Sequence, residues 1–184
     1  MVNSKTEYTK IGIPEPGHEF TAQELFDLAV AHLYLQGAPS TRVSEIDGHT
    51  ECLYRSEVGS CAVGWLIPNS VYEPAIEGVS AWAFLELAYM DDYVHLETHA
   101  QDSALFRVGA EEAMAGLARF RHKAHLMPNL VPHENFLGNL QVAHDLWGEG
   151  RSVEDGLLDM IEELRQIALQ HNLNTSVLTA LFPY

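Results

Sequence analysis

The residues best suited to metal or proton chemistry lie in one stretch of the chain, between residues 80 and 103. Asp92, His95, His99 and Asp102 are spaced 3, 4 and 3 residues apart, so in a helix they share one face, which Asp91 borders. Imidazole and carboxylate ligands together suit a divalent transition metal. His95, His99 and Asp92 are therefore candidate metal ligands. The His-Glu-x-x-His order of zinc peptidases is absent, which leaves a solvated polar helix face, or a contact with another ligand or partner, as alternatives.

A second candidate is the doublet His144-Asp145, which resembles the metal-binding doublet of the all-helical HD-type phosphohydrolases. Such a resemblance implies further ligands: His122, His125 or His133 upstream and Asp159 downstream. The distance to Asp159 is short for that family. Because His144 lies within about 40° of the apolar stripe of its own helix, a buried histidine at the edge of the core is the alternative.

Other catalytic motifs are missing from the sequence. There is no nucleophile elbow, P-loop or dinucleotide fingerprint. Cys52 and Cys61 lack the spacing of a redox or zinc motif, and the apolar neighbours of Cys61 favour a structural thiol. An enzyme is therefore less expected than a binding protein. Two reduced thiols, a polar start and no apolar run of membrane-spanning length predict a cytoplasmic protein without a membrane.

The charge of the chain is strongly acidic and unevenly placed. The net charge is −16, and residues 56–106 contain no Lys or Arg. Such a charge argues against nucleic acid, whose binding depends on neutralised phosphates. It favours a protein partner with a basic surface, with a solvated face that aids solubility as the alternative. The candidate partner-binding residues are Glu73, Glu77, Glu86, Asp91 and Asp92.

Helical periodicity dominates the secondary-structure pattern. Thr21 and Glu24 form a capping box that predicts a helix ending at Gly37, with His32 as a hydrogen-bonded core histidine. Further helices are predicted over residues 80–103, 110–127, 133–147 and 152–172. Their predicted inward residues, apart from those of the first helix, are Trp82, Leu85, Tyr89, Tyr93, Leu96, Ala100, Ala110, Met114, Leu117, Ala124, Phe136, Leu140, Ala143, Trp147, Leu157, Leu158, Ile161, Leu164 and Ala168.

One β-hairpin is predicted between residues 52 and 67. Its strands would be residues 52–55 and 61–67, joined by Ser-Glu-Val-Gly, after a loop over residues 38–50. Gly64 inside the second run leaves three alternatives open: a bulge, a close backbone approach or a buried helical turn. The apolar tail, residues 177–184, is expected to pack on the bundle or to pair as an edge strand.

The blocks Cys52-Leu-Tyr-Arg55, Cys61-Ala-Val-Gly-Trp-Leu-Ile-Pro68 and Tyr72 with Glu77-Gly78 resemble those of a family of small uncharacterised bacterial and phage proteins. Leu140-Gln-Val-Ala-His-Asp145 resembles a second block of that family. Trp65 departs from the Cys or small residue expected there. The resemblance implies no activity and assigns no functional residue.

Taken together, these patterns predict an α-rich α+β protein: a bundle of four or five helices with one small β-hairpin. Residues 1–19 would form an extended arm and residues 20–184 a single domain. The predicted function is an acidic protein-binding or inhibitor module of a phage or mobile element, without a cofactor. The alternative is a metal-dependent hydrolase of an all-helical type that uses a divalent transition metal.

Overall fold

The computed structural model of the chain describes residues 18–43, 50–89, 100–101, 103 and 109–183. It is mostly helical and contains one small antiparallel sheet, which confirms the predicted α-rich α+β class. The elements are α1 (Ala22–Gln36), β1 (Thr41–Val43), β2 (Thr50–Cys52), α2 (Ala81–Tyr89), α3 (Ala110–Lys123), α4 (Glu134–Glu149), α5 (Val153–Gln170) and α6 (Ser176–Leu181). No helix in the described ranges is both long and apolar enough to cross a membrane.

Helix α1 begins and ends as its sequence predicts. The Thr21 hydroxyl accepts a hydrogen bond from the backbone N–H of Glu24, and the Glu24 carboxylate accepts one from the N–H of Thr21 at 2.7 Å. These reciprocal bonds satisfy N–H groups that have no partner inside the helix. At the other end Gly37 adopts a left-handed φ of 70°, and its N–H donates to the Leu33 carbonyl.

The predicted hairpin is in the wrong place. The two strands that pair are β1 and β2, so a strand lies within the predicted loop over residues 38–50. The run predicted as the second strand instead turns into a 3₁₀ helix, Gly64–Leu66, and only an isolated bridge joins Arg55 to Ser60. A side chain at Gly64 would place its Cβ 2.0 Å from the Tyr54 carbonyl oxygen. Of the three alternatives predicted for Gly64, the structure therefore confirms two: a close backbone approach and a buried helical turn.

The core is formed mainly by α4 packed along α5, with the remaining helices around this pair. Four residues predicted to face inward from α4 are all buried: Phe136, Leu140, Ala143 and Trp147. The predictions for α3 and α5 are only partly correct. Ala110 and Met114 are exposed, as is Leu158, whereas Ala113, Phe120, Met160 and Ile167, which were not predicted, are fully buried.

Helix α2 is rotated relative to the predicted stripe. Phe84 is fully buried and packs near Tyr54 and Phe120, with ring centroids 5.4 and 5.2 Å away. Trp82, predicted to face the core, is 43% exposed. Because α3 and α4 together cover α2, the buried face of α2 is wider than the stripe predicted from the sequence.

The C-terminal tail packs back on the bundle, which was one of the two alternatives predicted for it. It forms the short helix α6, which lies against α1 and buries Leu178, Leu181 and Phe182. The ring of Phe182 meets Tyr34 edge-on at 5.3 Å. The N-terminal arm, apart from His18 and Glu19, lies outside the described residues.

Candidate functional site

Most of the residues predicted to hold a metal lie outside the described ranges. These are Asp91, Asp92, His95, His99 and Asp102. The predicted metal site of His95, His99 and Asp92 therefore stays a prediction, as does the part of the partner-binding surface assigned to Asp91 and Asp92.

Glu73, predicted to bind a partner, is neutralised within the fold. It is nearly buried, and its carboxylate accepts hydrogen bonds from the Lys123 ammonium at 2.6 Å and from Arg119 Nε at 3.0 Å. Burial raises the pKa of Glu73, but the hydrogen bonds and charges of Lys123 and Arg119 outweigh it and lower the pKa overall. Glu73 thus ties the turn Pro74–Ile76 to α3 instead of presenting charge outward.

Glu77, also predicted to bind a partner, lies inside the molecule and holds loop backbone. Its two oxygens accept the backbone N–H groups of Tyr54 at 2.8 Å and Arg55 at 2.9 Å, and the Tyr72 hydroxyl donates to it at 2.8 Å. Burial raises the pKa of Glu77, and these three donors oppose the rise. The carboxylate is therefore a structural acceptor, and it does not form part of an outward acidic surface.

One set of metal-type ligands comes together within the described part of the chain: Cys52, His144 and Asp145. The ligand atoms of these three residues lie within 4.8 Å of one another, between the end of β2 and helix α4. His144 is fully buried, which confirms the predicted histidine at the edge of the core. The other ligands required by the HD-type interpretation, His122, His125, His133 and Asp159, do not join a group of three or more in this part of the structure.

The hydrogen bonds of His144 fix its proton. The backbone N–H of Ser40 donates to Nε2 at 3.0 Å, so Nε2 is unprotonated in the neutral ring. Nδ1 therefore carries the hydrogen and donates it to the Asp145 carboxylate at 3.2 Å. A metal on Nδ1 would displace this proton while Nε2 still faces a donor, and the ring would have to become an imidazolate. The arrangement therefore disfavours a metal and connects α4 to the start of β1.

The thiol beside this histidine is poorly suited to nucleophilic chemistry. Burial raises the pKa of Cys52 far above its usual range, and the nearby Asp145 carboxylate adds to the rise. His144 cannot accept the thiol proton because its Nδ1 is already protonated. Burial likewise raises the pKa of Cys61 to about 12, in agreement with the predicted structural thiol. The polar cavity of about 200 Å³ beside Cys52 therefore lacks an activated nucleophile.

A different surface feature has the properties of a binding site, and we call it the Trp82 groove. It is a largely apolar depression of about 340 Å³ between α2 and the start of α4. Its described lining residues are Trp82, Leu85, Glu86, Tyr89, Val131 and Glu134. Trp82 is 43% and Val131 47% exposed, whereas Leu85 is buried at the base. Two carboxylates and no basic group stand among these residues.

The aromatic walls of this groove are held in place from behind. The indole of Trp82 lies so close to Gly138 of α4 that a Cβ there would be 2.5 Å from its ring. On the other wall, the hydroxyl of Tyr89 donates a hydrogen bond to the Pro128 carbonyl. A large aromatic side chain that is exposed yet fixed loses little entropy on binding, which is typical of residues that dominate protein interfaces.

Sequence reasoning missed the groove because it assigned Trp82 to the core. One signal was present: Gly138 lies inside the α4 pattern, where a glycine costs helix stability and often marks close packing. Glu86, a predicted partner-binding residue, is half-buried on the groove wall, and Glu134 was not among the predicted residues. His32 is half-buried, and its Nε2 donates to the Ser60 carbonyl, which confirms a hydrogen-bonded histidine.

No protein family, curated protein or solved structure matches this chain.

Proposed function

We propose that the protein is an acidic protein-binding module, of the type that inhibits or recruits a partner with a basic surface, and that the Trp82 groove is its contact site. The observation that carries this proposal is the fixed, exposed indole of Trp82 beside Val131, with Glu86 and Glu134 at the groove edge. An apolar floor and an acidic edge together suit an apolar side chain that has Lys or Arg residues next to it.

The net charge of the chain supports the same choice of partner. At −16 the protein attracts basic surfaces over distances of about a Debye length, which accelerates association, whereas the apolar groove would set the dissociation rate. Glu73 and Glu77 do not contribute to this contact, because their carboxylates are occupied inside the fold. The described acids of the groove are Glu86 and Glu134, and of these two Glu134 is the exposed one.

The test is capture of a partner from a lysate of the source organism by the immobilised full chain and by two variants. Trp82→Ser removes the exposed indole. Leu169→Ser, at a position 77% exposed on α5, is the matched control, since it removes a comparable apolar group away from the groove. We expect a captured protein to be retained by the control and lost with Trp82→Ser, with binding that weakens as salt increases. A partner that both variants bind equally, or no partner at low salt, contradicts the proposal.

The alternative of a metal-dependent hydrolase has weaker support. Its only candidate ligands among the described residues are Cys52, His144 and Asp145, and the Ser40 N–H already occupies the unprotonated Nε2 of His144, the ring nitrogen that a metal would need. His95, His99 and Asp92 remain predicted ligands. Metal analysis of the purified protein, with His95→Ala and His99→Ala beside it, separates the two functions: a stoichiometric ion lost in both variants would favour the hydrolase.

A further inference from the structure

A second cavity, which we call the Arg55 cavity, is separate from the Trp82 groove and shares no residue with it. Its volume is about 340 Å³, and it lies between α1 and the loop that contains Gly64. Its wall is formed mainly by Arg55, Trp65, His32, Ser56, Ser60 and Asn69. The indole of Trp65 stacks on the His32 ring, with centroids 5.7 Å apart and planes inclined by 24°. The cavity is thus polar on several sides and aromatic on one.

Two buried N–H donors in this wall have no acceptor among the residues that the structure describes. They are Nε of Arg55 and Nε1 of Trp65. Among the buried side-chain polar atoms described as unpartnered, three are nitrogen donors, and two of those three belong to residues of this cavity. Buried N–H groups are nearly always hydrogen-bonded in folded proteins, so two exceptions beside one cavity indicate a missing acceptor.

The electrostatics of the wall define the charge of that acceptor. The Arg55 guanidinium lies 4.5 Å above the Tyr72 ring, and its Nη1 donates to Asn69 Oδ1. These contacts hold the guanidinium in place without neutralising its charge. Burial lowers the pKa of His32 and outweighs the opposing effect of the hydrogen bond that its Nε2 donates to the Ser60 carbonyl, so the neutral ring is favoured. Arg55 is therefore the only charged group among the described residues of the wall.

We propose that the Arg55 cavity binds a small oxyanion, a phosphate or carboxylate group, through the Arg55 guanidinium and the Trp65 indole N–H. Oxyanions accept several hydrogen bonds and carry the charge that a guanidinium prefers. The net charge of −16 repels anions at long range, so the affinity has to come from these short contacts. A dissociation constant of about 1 mM is expected for a single small anion.

The indole N–H groups provide a direct test. The ¹⁵N-labelled full chain is titrated with sodium phosphate and, separately, with sodium acetate, and sodium chloride of equal ionic strength is the control. We expect a saturable shift of the Trp65 indole resonance, while those of Trp82 and Trp147 stay in place. Saturation with phosphate alone identifies a phosphate ligand, and saturation with acetate alone a carboxylate. No saturable shift with either, or an equal shift with chloride, overturns the proposal.

Three variants complete the test, and the first two of them do not rely on the loss of a buried charge. Asn69→Asp keeps an acceptor for Arg55 Nη1 and places a negative charge at an exposed rim position, so we expect oxyanion affinity to fall at least tenfold. Gln170→Glu adds the same charge at the exposed end of α5 and should leave the affinity unchanged. Oxyanion binding that Asn69→Asp leaves intact overturns the assignment. Arg55→Gln, if folded, should abolish the Trp65 shift.

Discussion

Two pairs of glutamates in this protein occupy opposite environments. Glu73 and Glu77 lie nearly buried in the loop that follows the Gly64–Leu66 turn, and each accepts two or three hydrogen bonds from the protein. Glu86 and Glu134 lie at the Trp82 groove, beside apolar side chains that remain open to solvent. Three of the four come from one acidic stretch without Lys or Arg. Residue type and local charge therefore do not distinguish a carboxylate that holds the fold together from one that lies at an open groove.

The difference lies in what surrounds each carboxylate. Glu77 meets backbone N–H groups that have no other partner in a loop, so its removal leaves those groups unsatisfied. The side chain of Glu134 in the groove is exposed, so water can take its place when it is removed. The comparison predicts large stability effects in the loop and small ones in the groove, with the reverse order for partner binding.

The largest expected effect is that of Glu77→Ala. It leaves two backbone N–H groups and the Tyr72 hydroxyl without an acceptor, and we expect the free energy of unfolding to fall by about 3–5 kcal/mol. Urea denaturation followed by circular dichroism measures it. Glu134→Ala, in the groove, is the control and should change stability by less than about 0.5 kcal/mol. Equal losses in the two variants would remove the distinction between loop and groove.

Gly64→Ala should cause the next largest loss of stability. A Cβ at this position would lie 2.0 Å from the Tyr54 carbonyl oxygen, so the backbone of the loop has to move, at a cost of about 2–3 kcal/mol. Gly109→Ala is the matched control, because a Cβ there meets nothing within 4 Å. We expect the control to cost less than about 1 kcal/mol in the same denaturation experiment. A stable Gly64→Ala variant would contradict the close approach of the two loop segments.

Glu73→Gln should have a smaller effect that depends on pH. The pKa of Glu73 in the folded protein is below its ordinary value of 4.5, so its contribution to stability is present above that value and is lost as the pH falls through the folded pKa. We expect the variant to lose about 1–2 kcal/mol at pH 7 and progressively less in acid, because Lys123 and Arg119 are partly exposed. Denaturation at a series of pH values measures the difference from the wild type.

For Glu77, the same experiment should show the opposite dependence of stability on pH. Burial raises its folded pKa, so the Glu77 contribution is fully present below pH 4.5 and declines as the pH rises towards the folded pKa. Glu77→Gln should remove this decline. Parallel pH profiles for the two glutamine variants would show that Glu73 and Glu77 share one environment, contrary to the structure.

The smallest stability effect is expected for Glu134→Lys. This exposed residue lies in the first turn of α4, and reversal of its charge there should lower the free energy of unfolding by less than about 1 kcal/mol. Binding of a basic partner should nevertheless weaken, mainly through a slower association rate, as measured by surface plasmon resonance at low salt. An association rate that is unchanged would place the partner contact elsewhere.

Much of the helical architecture could be predicted because its determinants are local. Thr21, Glu24 and Gly37 bound α1 through hydrogen bonds within a few residues, and Ser152 caps α5 in the same way. The stripe from Phe136 to Trp147 predicted the buried face of α4 correctly. The hairpin was misplaced because strand pairing depends on contacts that the run from Cys61 to Ile67 does not encode locally.

The candidate site was less predictable than the helices. Its residues come from α2, from Val131 and from the start of α4, and they meet only because α2 packs against α4. The direction of Trp82 also depends on Gly138, more than fifty positions along the chain. The hydrogen bond between Ser40 and His144, which decides the chemistry of the Cys52 cluster, likewise spans distant positions.

By itself, the sequence determined the helical content, the helix caps, the acidic charge and the absence of a known catalytic motif, since each follows from composition or from neighbours a few residues apart. Only the tertiary structure decided which acids are buried, where the sheet lies, which tautomer His144 adopts and which way Trp82 points. These properties depend on groups far apart in the chain, whose positions are set by packing of the whole core.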